Sequence, residues 1–165
     1  MASQFIHITL PDGTRKQVPA GCTVREALTP EGGRLDAKVL AAKINGEPMD
    51  LSRPLEQDAT IEPLTFESAE GREVYRHSST HIMAQAVKEV FPTAQLTIGP
   101  ALDDGFYYDF AFDRPFTPED LEKIEARAIE IMKRGLTVTR SELSKQDAIK
   151  FFQERGEGYK VELIN

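Results

Sequence analysis

Hydrophobic and polar residues alternate over short runs in the first third of the chain. The run Phe5–Leu10 alternates and leads into a Pro-Asp-Gly sequence, which predicts a strand that ends in a turn. Lys16–Pro19 is predicted to be the returning strand. Thr23 is predicted to cap a short helix reaching Leu28, because threonine at that position satisfies free backbone N–H groups.

Further strands complete the predicted first domain. Val39–Asn45 leads into the turn Asn45-Gly46, and Ala59–Leu64 is expected to be closed by Pro63. Two strands, a helix and then more strands within ~60 residues predict an α+β roll. We therefore place a first domain at residues 1–66.

Longer amphipathic helices are predicted after this domain. Residues 66–71 are polar and are predicted to be a linker, and helical spacing of apolar residues follows at 72–91, 118–134 and 145–155. The predicted ends of these helices are marked by Pro92, Thr117, Gly135 and Ser144. In the second helix, the residues expected to be buried are Leu121, Ile124, Ala128 and Ile131.

Short segments with strand-like composition lie between and after these helices. They are Leu96–Ile98, Phe106–Phe112, Leu136–Arg140 and Tyr159–Leu163. A sheet combined with long helices predicts a second α+β domain over residues 67–165.

The composition indicates a globular chain without a disulfide framework. The 165 residues are 40% hydrophobic and 28% charged, with one cysteine. No stretch approaches the ~20 apolar residues of a membrane span, and the N-terminus has no secretory signal, so the cytoplasm is expected. The net charge of −7 argues against binding nucleic acid by bulk electrostatics.

Two histidines, His77 and His81, lie four residues apart in the first of the long helices. At this spacing both imidazoles project from one face, opposite the apolar stripe on a wheel of ~100° per residue. They could share a metal, hold a water or bracket a substrate group, and two ordinary surface histidines remain an alternative. Zinc needs a third ligand that nothing in the spacing supplies, so no metal is expected.

Two further segments carry candidate chemistry. Gly99-Pro100 predicts a backbone bend, and Tyr107 and Tyr108 would point to opposite faces of a strand, leaving one free to stack on a base. Lys160, in the last strand-like segment, could orient a carbonyl or a water. Ordinary sheet packing and a surface lysine are the alternatives.

Several of these motifs together resemble a known family. The opening ITLPDGT and the later INGE resemble the TGS domain, a ubiquitin-like β-grasp module. The sequences YRHSSTH, IGP, GFYYD and GEGYKV resemble the second N-terminal domain of bacterial threonyl-tRNA synthetases. A TGS domain alone is unspecific, whereas the histidine run followed by GFYYD is specific, and the order matches over essentially the whole chain.

The resemblance implies an editing function. That domain of the family hydrolyses serine wrongly attached to threonine tRNA, because the missing methyl group is worth only ~1–3 kcal/mol in discrimination at the synthetic site. The family's editing histidines fall on His77 and His81, and its site lysine falls on Lys160. Substrate-binding positions are expected at Tyr108, Tyr107 and the bend Gly99-Pro100.

The resemblance also indicates what is absent. The family's editing domain continues to a strand bearing an aspartate and a cysteine–histidine pair, which this sequence lacks, and the aminoacylation core is lacking too. We expect an N-terminal fragment or stand-alone relative that cannot aminoacylate and edits poorly or not at all. No cofactor is expected in this chain, since ATP, magnesium and zinc would belong to the missing core.

The implied partner is a tRNA whose terminal adenosine carries serine, with no DNA and no membrane. A homodimer is expected for the full-length enzyme, through other regions. Two alternatives remain open. One is a non-catalytic TGS-type module that binds RNA, a nucleotide or a protein, and the other is an accessory region of a TGS-bearing nucleotide kinase.

Overall fold

The computed structural model describes residues 4–165, so the first three residues of the predicted domain 1–66 lie outside the described part. The described chain divides into two compact units, one through Tyr75 and one from Arg76. The division falls inside a long helix, Ala69–Val90, beyond the boundary predicted at residue 66. No helix among the described residues is both long enough and apolar enough to cross a membrane.

The first unit is a mixed sheet with one short helix. Its strands follow the order β2-β1-β5-β3-β4, with β1 antiparallel to β2 and parallel to β5. The elements are β1 (Phe5–Thr9), β2 (Arg15–Pro19), α1 (Val24–Leu28), β3 (Val39–Ile44), β4 (Glu47–Met49) and β5 (Ala59–Thr65). The predicted α+β roll is confirmed, and β4 is an additional strand.

Local sequence signals explain why these elements form. Thr23 and Glu26 make a reciprocal capping box at the start of α1. Asn45 and Gly46 both have positive φ angles, 52° and 91°, which gives the hairpin turn between β3 and β4 the twist that suits the strands. Alternate residues of β1, Ile6 and Ile8, are buried in the core of this unit.

Pro63 does not close β5, contrary to prediction, because the strand continues to Thr65. The neighbouring strand β1 pairs only with Ala59 and Thr60, so at Pro63 only β3 lies alongside. Pro63 therefore has a neighbouring strand on one side only. A proline at such an edge position is tolerated, because its missing N–H leaves no strand without a hydrogen bond.

The predicted linker at 66–71 is also wrong, because the long helix α2 (Ala69–Val90) begins within it. Ser68 precedes this helix, and its hydroxyl accepts a hydrogen bond from the N–H of Gly71 at 3.0 Å. Glu70 in the first turn forms an ion pair with Lys43 of β3. The polar residues that suggested a flexible segment are therefore the residues that start the helix.

The second unit packs helices around a small aliphatic core, against which several partly buried phenylalanines pack. After α2 come β6 (Gln95–Leu96), β7 (Phe110–Ala111), α3 (Pro118–Arg134), α4 (Lys145–Glu154) and α5 (Gly158–Ile164). Its buried centre consists of Ala86, Val87, Ala94, Ile124 and Ile131. As predicted, α3 begins at a Thr117 capping box and ends at Gly135, and Ser144 caps α4.

Other predictions for the second unit need correction. Strand 106–112 shrinks to Phe110–Ala111, and the described residues 136–140 form no strand. Leu121 is 57% exposed, so the apolar face of α3 is wider than the surface that packs on it. Isolated alternating segments remain irregular when no neighbouring strand supplies hydrogen bonds.

The last predicted strand, Tyr159–Leu163, is instead the helix α5. Its half-buried positions are Lys160, Val161 and Ile164, a spacing that fits a helix and not a strand. The sequence also alternates apolar and polar residues, so the pattern alone could not distinguish the two structures.

Candidate functional site

The two histidines of α2 are in direct contact. Their Nε2 atoms lie 3.1 Å apart, and the ring planes meet nearly edge to face at 79°. Both side chains are exposed, whereas Thr80 between them is buried and donates a hydrogen bond to the carbonyl oxygen of His77 at 2.7 Å. The prediction that the pair lies on a different face from the apolar core is therefore confirmed.

The imidazole ring of His81 is held in its neutral form near pH 7. Although His81 is exposed as a whole, partial desolvation of its ring, then the neighbouring His77 and then the Lys160 ammonium hold its pKa below the ordinary value of 6.5. Near pH 7 its ring therefore carries one N–H and one free lone pair. Because the Nε2 atoms are within hydrogen-bond distance, one of them donates and the other accepts.

Lys160 reaches this site from α5 rather than from a strand. Its Nζ donates to the carbonyl oxygen of Thr97 at 2.8 Å, just beyond β6. Thr97 is itself tied to Asp109 through a hydroxyl-to-carbonyl hydrogen bond of 2.6 Å. The structure thus brings together both predicted histidines and the predicted lysine, although the element that carries the lysine was predicted wrongly.

Gly99 and Tyr108 form a close contact beside β6 and β7. A Cβ atom at position 99 would lie 2.1 Å from Cδ2 of the tyrosine ring, so only glycine fits there. The Tyr108 ring stacks on Phe110 with centroids 4.7 Å apart. Burial, and then the Glu157 carboxylate, raises the pKa of the Tyr108 hydroxyl, which is therefore a neutral hydrogen-bond donor at pH 7.

The other two predicted substrate-binding positions lie outside this contact. Tyr107 is 45% exposed, and Pro100 is exposed as well. Tyr107 and Tyr108 differ in burial, although neither lies in the strand that was predicted for this segment. Of the two, Tyr108 is the one that the structure holds in a defined position.

Arg76, directly before the histidine pair, fixes a loop of the site. Its guanidinium donates to the carbonyl oxygens of Leu102 and Asp103, the first at 2.9 Å. Leu102 is also paired with Gly105 through its backbone N–H at 2.8 Å. The loop that leads to the two tyrosines is therefore fastened to the turn of α2 that carries His77.

Sequence reasoning missed an ion pair next to these groups. Lys88 Nζ lies 3.0 Å from Oε1 of Glu157, the residue that precedes α5. One signal was available, because Lys88 falls within ~20° of His81 on a helical wheel. Nothing in the sequence indicated that Glu157 would meet it.

The described residues offer no metal centre. Across residues 4–165, no three His, Cys, Asp or Glu side chains converge on a point where a metal ion could sit. The groups that are present can exchange a proton at His81, place a cation at Lys160 and donate a hydrogen bond from Tyr108. These are the groups that general acid–base chemistry at a carbonyl uses.

Comparison with known proteins defines the class of the first unit. Residues 6–65 match the family model of the TGS domain. The five-stranded sheet with its short helix is thus a TGS domain, of the ubiquitin-like β-grasp type that the sequence predicted.

The chain as a whole matches the N-terminal region of threonine–tRNA ligases. It is 53% identical to the enzyme of Symbiobacterium thermophilum over 163 residues, which are 99% of this chain and 25% of that enzyme. The enzymes of Citrifermentans bemidjiense and Myxococcus xanthus are 50% and 46% identical, over 96% and 98% of the chain. The chain spans about a quarter of the length of these curated relatives.

Proposed function

We propose that this chain contributes to hydrolytic editing, the removal of serine from threonine tRNA, within a threonine–tRNA ligase. The observation that carries the proposal is the contact of the two histidines at 3.1 Å, with the Lys160 ammonium near enough to lower the pKa of His81. Similarity to the N-terminal region of these ligases supports the same reading.

The proposed reaction is ester hydrolysis at the terminal adenosine of the tRNA. Neutral His81 accepts a proton from water as the water oxygen attacks the ester carbonyl, and His77 holds the ring through their shared hydrogen bond. Lys160 keeps further N–H donors beyond the one bound to Thr97, and these stabilise the negative carbonyl oxygen of the tetrahedral intermediate. The intermediate then collapses: the bond from the carbonyl carbon to the ribose oxygen breaks, that oxygen takes the proton back from His81, and free serine is released.

Discrimination against threonine is proposed to come from a tight wall near Tyr108. Gly99 lies against the tyrosine ring, which itself stacks on Phe110, so the ring has little room to move aside. A rigid wall excludes an additional methyl group more strongly than an apolar pocket attracts one, which is worth only ~1–3 kcal/mol. Tyr107 and Pro100 are proposed to line the more open side.

The partners and cofactors of the whole enzyme are proposals too. The tRNA with its serine-bearing adenosine is the proposed partner of this region, without DNA or a membrane. ATP, magnesium and zinc are proposed to act only in the aminoacylation core, and a homodimer is proposed for the full-length enzyme. A cytoplasmic location agrees with this role in protein synthesis.

Deacylation of seryl-tRNA under single-turnover conditions, with the chain in excess, tests the proposal. We expect slow hydrolysis that is far below the rate of a complete ligase and is abolished in H81N and K160A. K150Q is the matched control, because Lys150 is an exposed lysine with a 4.0 Å contact to Glu154 and is no part of the site. Wild-type rates in H81N or K160A would refute a hydrolytic role for these residues.

A second candidate, a non-catalytic binding module, is favoured by a cavity in the first unit. It has a volume of about 380 Å³ and polar walls that include His7, Arg15, Asn45 and Asp58. Under this alternative, tRNA binding by the chain falls in R15A and is unchanged in H77A and K160A. Loss of hydrolysis in the latter two variants would favour editing instead.

A further inference from the structure

The ion pair between Lys88 and Glu157 joins three segments of the second unit. Beyond its contact with Glu157, Lys88 Nζ donates to the carbonyl oxygens of Pro92 and Ala94 at 3.1 and 3.0 Å. The lysine therefore fastens the end of α2 to the turn that follows it. Through Glu157 it also fastens both to the start of α5.

Glu157 is built into the first turn of α5. Its carbonyl oxygen accepts the N–H groups of Lys160 and Val161 at 3.1 and 3.2 Å, and its own N–H donates to Phe152. The residue thus begins the turn that carries Lys160. Any displacement of Glu157 relative to α2 moves the backbone of that lysine.

The Glu157 carboxylate is held in an unusually confined position. Only 12% of its side chain is exposed, and its second oxygen, Oε2, is buried without a hydrogen-bond partner among residues 4–165. A buried carboxylate with one unsatisfied oxygen is costly to bury, so its stability depends on the cation that pairs with its other oxygen. Lys88 therefore fixes the side chain of Glu157 much more firmly than an exposed ion pair would.

We propose that the Lys88–Glu157 pair is a positioning device, which fixes α5 on α2 and thereby sets the Lys160 ammonium relative to His81. Neither residue is proposed to touch the substrate or the reacting atoms. The inference relies on the proposed function only to name the site that the pair serves. The position of Lys160 relative to His81 can be tested whether or not the chain hydrolyses seryl-tRNA.

Replacing Glu157 could change the pKa of His81 in two ways, through the lost charge or through a displaced Lys160. The two changes have opposite signs, so a titration distinguishes them. In E157Q the loss of a negative charge would by itself lower the pKa of His81. If the pair positions Lys160, release of α5 moves the ammonium away from His81 and raises that pKa. The Glu157 charge is not among the causes that shift the His81 pKa, so the second effect should dominate.

The experiment is an NMR titration of the His81 ring in the full chain. We expect K160Q and E157Q both to raise its pKa, and the double variant to raise it no further than K160Q alone. E154Q is the matched control, since Glu154 makes only a long 4.0 Å contact to Lys150 at an exposed position, and it should leave the titration unchanged.

A charge-conserving variant keeps the test valid if E157Q fails to fold. E157D retains the carboxylate on a side chain that is one methylene shorter. If the pair positions Lys160, this variant also raises the pKa of His81, whereas a pure charge effect leaves that pKa unchanged. An unchanged or lowered His81 pKa in both variants would overturn the proposal. A raised pKa in a chain that does not hydrolyse seryl-tRNA would leave the positioning role intact and refute only the editing function.

Discussion

Gly99 shows how a single missing side chain shapes the site. Its backbone lies against the Tyr108 ring so closely that a Cβ atom would overlap the aromatic carbons. The contact depends on two residues nine positions apart, both of which lie outside the short strands β6 and β7. It therefore left no trace in the pattern of hydrophobic and polar residues, although Gly99 and Tyr108 were both predicted as site positions.

We predict that G99A displaces the Tyr108 ring and destabilises the chain by about 1–3 kcal/mol, the usual range for forced overpacking. Denaturant unfolding measures the change in free energy. G105A is the control, because nothing lies within 4 Å of a Cβ atom at that position, and it should be close to neutral. Equal stability of the two variants would show that the Gly99–Tyr108 contact is loose.

The histidine pair was predictable from sequence, unlike the position of its partners. A spacing of four residues in a helix determines which side chains are neighbours, and the 3.1 Å contact follows from it. The approach of Lys160 and the ion pair of Glu157 depend on how α5 packs on α2. No local pattern specifies such tertiary contacts, so sequence reasoning named the lysine without its surroundings.

Helix α3 has limits that are set locally, and its first turn is reinforced by Arg114, which lies just before the Thr117 cap in the sequence. Thr117, which the sequence predicted at the start of this helix, forms a capping box with Asp120. The Arg114 guanidinium, followed by the Thr117 N–H, holds the pKa of Asp120 well below its usual range. The ionised carboxylate thus stabilises the folded chain more than the unfolded one.

The pH dependence of stability follows from that direction. A carboxyl group with a depressed pKa contributes stability above its unfolded-state pKa of ~3.9, and this contribution is lost as the pH falls towards the folded-state pKa. We predict that D120N is less stable than wild type at pH 7 and that the difference shrinks in acid. E122Q, at an exposed position of the same helix, should unfold like wild type at both pH values.

A constant difference between D120N and wild type from neutral to strongly acidic pH would contradict this account. It would mean that the Asp120 carboxylate gains nothing from Arg114 and Thr117 in the folded chain. Thermal unfolding followed by circular dichroism across the pH series provides the comparison.

Elements of the two units differ in how well the sequence predicted them. In the first unit, turn residues such as Asn45-Gly46 bound each strand, so most limits were correct. In the second unit the segments around 136–140 and 159–163 have strand-like composition but no neighbouring strand among the described residues. Pairing decides whether such segments become strands, and pairing cannot be inferred from one segment alone.

At the scale of the whole molecule, the second unit leaves large apolar side chains exposed. Leu121, Met132 and Leu136 are each more than half exposed, and Val138 is 85% exposed. Clustered apolar residues on a surface favour association, because their burial removes them from water. We therefore expect the chain to associate with itself.

We predict that the average mass of the chain rises reversibly with concentration. Size-exclusion chromatography with light scattering measures this mass, and L121E with V138E should shift the chain towards the monomer. K123E, a change at an exposed position of the same helix, is the control. A monomer at every concentration would contradict the prediction.

The pH–rate profile of seryl-tRNA deacylation by the full chain, set beside the NMR titration of His81, tests the central claim most directly. If neutral His81 is the base, the single-turnover rate rises with pH through the measured His81 pKa, below 6.5, and then levels off. E157Q, which keeps Lys160 but is proposed to displace its ammonium from His81, should move both midpoints upward together. Hydrolysis whose pH dependence ignores the His81 titration would contradict the claim that this histidine pair and Lys160 form a hydrolytic site.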